Sequence, residues 1–376
     1  MESIMRGFFG LGIFGNKTDK NVSNEAQKPI RPNDINLKPN QKIQDSKIKE
    51  KNKIQQKMQT FESILSKPIA DVEQLKSIAW NGFPSKYRPR IYRLLLDYEP
   101  INSEQSQALL AQKRKYYFDN LNRLFDPSLQ KTWTVSQNQI IHQIQIDLPR
   151  TGFKLIHNER IQEIFKHVLF VWAIRHPASG YVQGMNDILA PFFLLFLTPY
   201  FPNDPLEDIL QKDDIDFITG DDMKEIEADC FWCFNTMLDG IQDLFTKGQP
   251  GIFRMIDQLK TITAVVESEL HSWLEKENVN YITFAFRWMN CLLVREFKFE
   301  QLFRIWDTLV CHHTRIGPSL VYLCASMLSV LAPKLNGLSQ SEINTFIQMI
   351  PPEIWDDKID ELIAQAYVYE KMFPLD

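Results

Sequence analysis

Few side chains in this 376-residue sequence are placed to do chemistry alone. Gly10, Gly15, Lys17 and Thr18 approximate a phosphate-binding loop, but Asn16 separates glycine from lysine. No strand precedes that stretch and no helix clearly follows, so it reads as a decoy. Cys230 and Cys233 have CxxC spacing. Zinc would want a second close pair, and a thioredoxin-like site would want a βαβ context; the flanks read as helix, so buried thiols are expected. Dinucleotide, zinc-protease, nucleophile-elbow and kinase signatures are missing. What is left is an arginine and a glutamine. Arg150 closes Ile144-Gln-Ile-Asp147-Leu-Pro-Arg150-Thr151. Pro149 bars a continuing helix, which puts Arg150 at a helix boundary or in a loop, free to project outward. Gln183, in Tyr181-Val-Gln183-Gly184-Met-Asn186-Asp187, follows the turn Pro177–Gly180 and is expected to begin a helix. A lone arginine after a proline is usually a solvated loop residue, and a lone YxQ is usually a helix start. Neither decides anything by itself.

The elements that must hold these residues read as helical. Ile161, Ile164, Phe165, Val168, Leu169 and Trp172 follow the i, i+3, i+4 rule, and Pro177 stops that helix. Phe231, Phe234, Leu238, Ile241 and Phe245 repeat at threes and fours, as do Leu302, Phe303, Trp306, Leu309 and Val310. Pro318 to Leu331 is another apolar helical stretch. Trp80-Asn-Gly-Phe-Pro84, then Arg88, Ile91, Tyr92 and Leu94 to Leu96, reads as a turn and an amphipathic helix. Residues 203–229 are thick with Asp and Glu; Gly220 is misplaced for a calcium loop, so an acidic surface loop leading into a helix is expected. No clean alternation of period two and no internal repeat is present. The fold class predicted is all-α, with many irregularly packed helices.

Bulk properties narrow the rest. Hydrophobic residues make up 44% and charged residues 24%, as in an ordinary soluble protein. The net charge of -5 and pI near 5.9 argue against a nucleic-acid-binding surface. Cysteines number five, an odd count in a large chain, so no disulfide framework is implied and a cytosolic location is expected. The apolar run Phe8 to Phe14 is glycine-broken and short for a signal core, Glu2 excludes N-myristoylation, and the strongest apolar run, Pro191 to Phe201, is too short to span a bilayer. Residues 1–60 are read as a disordered polar and basic tail, most clearly from Asn16 to Met58, and residues 61–376 as the folded domain. Lys47, Lys49, Lys51, Lys53 and Lys57 make the tail's end basic, as a solvated linker or as a weak contact for acidic lipids or an acidic partner.

The combination of motifs resembles a known family. Ile144, Asp147 and Arg150 as IxxDxxR, and Tyr181 and Gln183 as YxQ, look like the paired fingerprints of the TBC (Tre-2/Bub2/Cdc16) domain of Rab GTPase activators. The flanks agree: Trp80 to Pro84 with Arg88, Phe284-Ala-Phe-Arg287-Trp288, and Arg304-Ile-Trp306-Asp307. Order and spacing fit from about residue 78 onward. Trp172 to Gln183, Gly248 to Gly251 and Phe284 to Arg295 look most like the Golgi-associated branch that includes the yeast Gyp-type activators of Ypt/Rab proteins. Phe83 departs from the pattern, which usually has isoleucine there.

The resemblance implies a V-shaped all-helical fold and a protein that is not a self-contained enzyme. It would bind a Rab-family small GTPase in its GTP-bound state and bring no cofactor, since GTP and Mg2+ belong to the partner. Arg150 would be the arginine finger and Gln183 would orient the attacking water in place of the GTPase's own glutamine. Asp147 would orient groups near the finger, and Tyr181, Gly184 and Asn186 would fix the loop carrying Gln183. Trp80, Arg88, Arg287, Trp288, Trp306 and Asp307 are read as structural: core aromatics and buried, paired charges. Such a protein would be cytoplasmic, peripheral on endomembranes, with the Golgi indicated by the branch. The alternative is a TBC-fold scaffold that binds Rab without catalysis.

Overall fold

Polar side chains at segment starts satisfy the free N–H groups that open a helix and so set where each helix begins. Asp71 accepts from the Gln74 amide at 2.9 Å, Asn158 accepts from Arg160 at 3.0 Å, and Thr134 and Gln137 form a reciprocal capping box. The computed structural model describes residues 39–212 and 215–375. It divides into two units, Met1–Ser63 and Ile64–Asp376. Helices follow in the order α1 (Pro39–Leu65), α2 (Val72–Ile78), α3 (Arg88–Leu95), α4 (Ser103–Leu124), α5 (Pro127–Gln130), α6 (Val135–Asp147), α7 (Glu159–Arg175), α8 (Met185–Leu197) and α9 (Leu206–Ile209). After them come α10 (Gly220–Asp239), α11 (Pro250–Val266), α12 (Ser268–Lys276), α13 (Ile282–Asn290), α14 (Phe299–Cys311), α15 (Ile316–Leu335), α16 (Gln340–Gln348) and α17 (Ile359–Met372). Among the described residues β pairing is limited to an isolated bridge between Ile69 and Asn102, so the all-α expectation holds.

Every residue of α8 is buried. It packs on α3, α7, α9 and α10, and is the central post of the domain's first half. Each large apolar side chain fully buried there contributes roughly 1.5–3 kcal/mol. In the second half α15 packs against α11, α13, α14 and α17. The sequence expectation about apolar runs needs amending here. The helical stretch ending in α15 is 23 residues, long and apolar enough to cross a bilayer, and outdoes Pro191 to Phe201. Leu320 to Leu328 are all buried against those neighbours, so a place in the core explains the composition.

Other expectations also shift. The N-terminal reading, with the loop-like glycines Gly10 and Gly15, lies largely outside the described residues. Where the described chain begins, it is helical from Pro39. Between Gln41 and Leu65 there is no proline or glycine, and Lys, Gln and Glu are good helix formers even where little can be buried. The acidic stretch is helical from Gly220, with Asp221 and Asp222 complementing the start of α10. Its last acids are interior: Asp229 pairs with Arg93 and Arg114, and Glu227 accepts from Tyr117 at 2.8 Å. Helix α10 stops at Asp239, so Ile241 and Phe245 enter the core from the turn that follows. All five cysteines are buried; Cys291 caps α13 and the others are helical. Burial pushes the Cys230 and Cys233 thiols up, the opposite of a reactive thiolate.

Candidate functional site

Pro149 lacks an N–H and crowds the preceding turn, so α6 ends at Asp147 and the chain tightens into a 3₁₀ turn, Leu148–Arg150. Ile144, Asp147 and Leu148 face inward, and Arg150 faces out. Its side chain is 56% exposed, and its nearest carboxylate is Asp147 Oδ1 at 3.6 Å, too far for a hydrogen bond. That oxygen is buried and has no hydrogen-bond partner among the described residues. The guanidinium is therefore attracted to a fixed charge without being committed to it.

Gln183 stands two residues before α8, not inside it: the helix begins at Met185 with Gly184 as its cap. Gly184 has φ +107, and a Cβ there would lie 2.4 Å from Asn290 Nδ2 and 3.2 Å from Cys291 Sγ. Backbone conformation and space both demand glycine. Gln183 is half-buried, and its side-chain amide makes no hydrogen bond among the described residues.

Two bridges tie these segments together. The single hydroxyl proton of Tyr181 lies between Asp147 Oδ2 at 3.1 Å and Asn186 Oδ1 at 3.2 Å. Asn186 Nδ2 donates to Thr151 Oγ1 at 2.9 Å, and Asn186 Oδ1 accepts from the Gly184 amide at 3.2 Å. Thr151 adjoins Arg150, and Tyr181 and Gly184 flank Gln183, so each bridge holds one loop against the other. Asp147, Thr151 and Asn186 are all buried, where a hydrogen bond is exposed to little competition from water.

Burial raises the Asp147 carboxyl above its ordinary value, against the opposing pull of Gln143, Tyr181 and Arg150. Asp187, one residue past Asn186, is raised for the same reason, despite Arg295 donating to it at 3.0 and 3.2 Å. These carboxylates repel one another, and the Arg295 charge beside Asp187 offsets part of that repulsion.

The other motif residues do different work. Asp307 accepts from Arg88 at 3.0 and 3.2 Å, from Tyr92 at 3.0 Å and from the Phe83 amide at 2.7 Å. Burial opposes the Arg88 charge, and Asp307 overrides it and holds Arg88 above its usual value. Arg287 forks onto Glu296 at 2.7 and 2.8 Å and donates to the Gln348 and Ile347 carbonyls. Trp288 and Trp306 are fully buried; Trp306 Nε1 donates to Leu292 O at 3.0 Å. Trp80 is the exception, being 44% exposed. Its ring packs edge-on to Tyr367 and its carbonyl accepts from Arg304. Among the described residues no hydrogen bond or ion pair links Trp80, Arg88, Arg287, Trp306 or Asp307 to Arg150 or Gln183.

Sequence reasoning missed Thr151 and Asn290. Thr151 follows the arginine directly, but nothing in a sequence says that its hydroxyl meets an asparagine 35 positions on. Asn290 lies in the Phe284 to Arg295 stretch that carried the branch resemblance, and that was the available signal.

The fold and site define an all-helical domain that presents an arginine and an uncommitted amide from two bridged loops. Residues 85–336 match the family model described as the Rab-GTPase-TBC domain, and the chain belongs to that family. It is 40% identical over 267 residues to GTPase-activating protein GYP1 of Saccharomyces cerevisiae, covering 69% of this chain and 41% of that protein. It is 36% identical over 319 residues to TBC1 domain family member 22A of Homo sapiens, covering 83% of this chain and 59% of that one. The crystal structure of the Ypt/Rab-GAP domain of Gyp1p superposes with a TM-score of 0.80 at 36% identity, over 85% of this chain and 99% of that domain. The chain spans from 41% to 63% of the length of such curated relatives.

Proposed function

We propose that this protein accelerates GTP hydrolysis on a Rab-family GTPase by inserting Arg150 and Gln183 into the partner's reaction centre. One observation carries the reading: two separate loops are bridged through Asp147–Tyr181 and Thr151–Asn186, while the side chains they present remain uncommitted. Hydrolysis builds negative charge on the γ-phosphoryl group and the leaving oxygen, so catalysis is mostly positioning and electrostatics. The planar guanidinium of Arg150 would fork onto phosphate oxygens, where a lysine would act as a point charge. The Gln183 amide would donate and accept at once, orienting the attacking water. GTP and Mg2+ would be the partner's, and the complex would form with the GTP-bound state. Vesicle trafficking follows from that partner. Residence on endomembranes, the Golgi among them, would come through the Rab, with the basic residues Lys47 to Lys57 adding a weak contact to acidic lipids.

The test is a screen of GTP hydrolysis by the Rab proteins of the source organism, with and without this chain. At least one Rab should respond to the parent chain and fail to respond to Arg150→Ala or Gln183→Ala. Tight binding of a Rab loaded with GTP, with phosphate release no faster than from the Rab alone, would establish the scaffold instead.

A further inference from the structure

The peptide unit joining Gln183 to Gly184 is gripped at both ends by side-chain amides. Its N–H, from Gly184, donates to Asn186 Oδ1 at 3.2 Å; its C=O, from Gln183, accepts from Asn290 Nδ2 at 2.9 Å. Asn186 lies on the same loop and helix. Asn290 comes from the end of α13, 107 positions away, and is fully buried. Its own orientation is dictated from beyond. Gln249 Nε2 donates to the Leu244 carbonyl at 2.9 Å, a group that can only accept, and to Asn290 Oδ1 at 3.1 Å. With Oδ1 held by Gln249, Asn290 must turn Nδ2 to Gln183. A backbone carbonyl at each end fixes every donor and acceptor between them. Gln249 is itself buried and left-handed, with φ +49. The absent Cβ of Gly184 makes room for the Asn290 amide to lie against the backbone.

We infer that Asn290, oriented by Gln249, is a positioning residue for Gln183. It prevents the Gln183–Gly184 peptide from flipping and so sets the origin and direction from which the Gln183 side chain leaves the backbone. This rests on the functional reading above. It adds a third segment to the reaction machinery, one that never meets the nucleotide.

Asn290→Asp puts an acceptor opposite the Gln183 carbonyl, and Gln249→Met cuts the relay without adding a charge. Each is expected to lower the rate of phosphate release at saturating activator on the order of 10²-fold, the cost of a reacting group displaced by about 1 Å. The activator concentration giving half the maximal rate should stay unchanged, because docking does not use these residues. The same substitutions are then made in a Gln183→Ala background, where neither should cause further loss. Additive losses there, or parental rates in both single variants, would overturn the inference. Should Asn290→Asp fail to give the parental melting curve, Gln249→Met alone decides. A Gln183→Ala chain as active as the parent, or a parent that stimulates no Rab, would instead overturn the functional reading, and this inference with it.

Discussion

The molecule holds two arginine–aspartate pairs that a sequence motif would treat alike and the fold treats in opposite ways. Arg88 and Asp307 are 11% and 0% exposed, meet at 3.0 Å, and share their remaining capacity with Tyr92 and the Phe83 backbone. Arg150 and Asp147 are 56% and 2% exposed and stand 3.6 Å apart, with one aspartate oxygen left without a hydrogen bond among the described residues. The first pair is closed: both Asp307 oxygens and the Nε and Nη2 donors of Arg88 are engaged inside the protein, and the guanidinium stacks over Phe303. The second is open, its arginine attracted but not held. A buried pair fixes structure because breaking it strands a charge, whereas an exposed arginine contributes little to stability and can be given to another molecule.

The largest effect that would break this contrast lies at Arg150. Arg150→Ala and Arg150→Lys should both reduce Rab GTPase stimulation by about 10³–10⁵ with melting behaviour unchanged, measured as single-turnover phosphate release beside circular dichroism. Arg88→Ala should do the reverse. Leaving Asp307 buried without its partner should cost about 3–5 kcal/mol in chemical denaturation, while stimulation per folded molecule stays near the parent's. Swapped outcomes would mean that the open pair is the structural one.

The bridges between loops offer a finer test. Thr151→Val removes the oxygen that accepts from Asn186 and leaves a buried donor unpaired, at about 1–3 kcal/mol. Stimulation should fall about tenfold as Gln183 loosens relative to Arg150, the kinetic equivalent of one weak hydrogen bond.

The smallest effect concerns Asp147 and pH. Burial raises its carboxyl above the unfolded value of about 3.9, so in that interval the native protein holds a proton that the unfolded chain has released. Stability therefore falls as pH rises through this window, and Asp187 and Glu296, also raised by burial, act with the same sign. Asp147→Asn removes one share of that slope. Its melting temperature should gain on the parent's between pH 4 and pH 7, even as stimulation drops because Arg150 loses its nearest carboxylate.

Much of this was legible in the chain itself. The three-and-four spacing from Ile161 to Trp172 gave α7, since a helix repeats every 3.6 residues and a buried stripe must follow it. Pro149 placed Arg150 at a boundary, because a residue without an N–H ends a helix wherever it falls. Local rules failed where burial overrode them. The run of acids into α10 looked like surface, yet Glu227 and Asp229 are interior because Tyr117, Arg93 and Arg114 reach them from distant segments.

By itself, then, the sequence determined the helices, their stops and the presence of an outward arginine beside a proline, all properties that neighbours within a few residues decide. Tertiary structure decided that Tyr181 meets Asp147, that Asn186 meets Thr151, and that Asn290 turns its amide to the Gln183 carbonyl. Those contacts join positions from 34 to 107 residues apart, and only the packing of segments distant in the chain brings them within hydrogen-bonding reach.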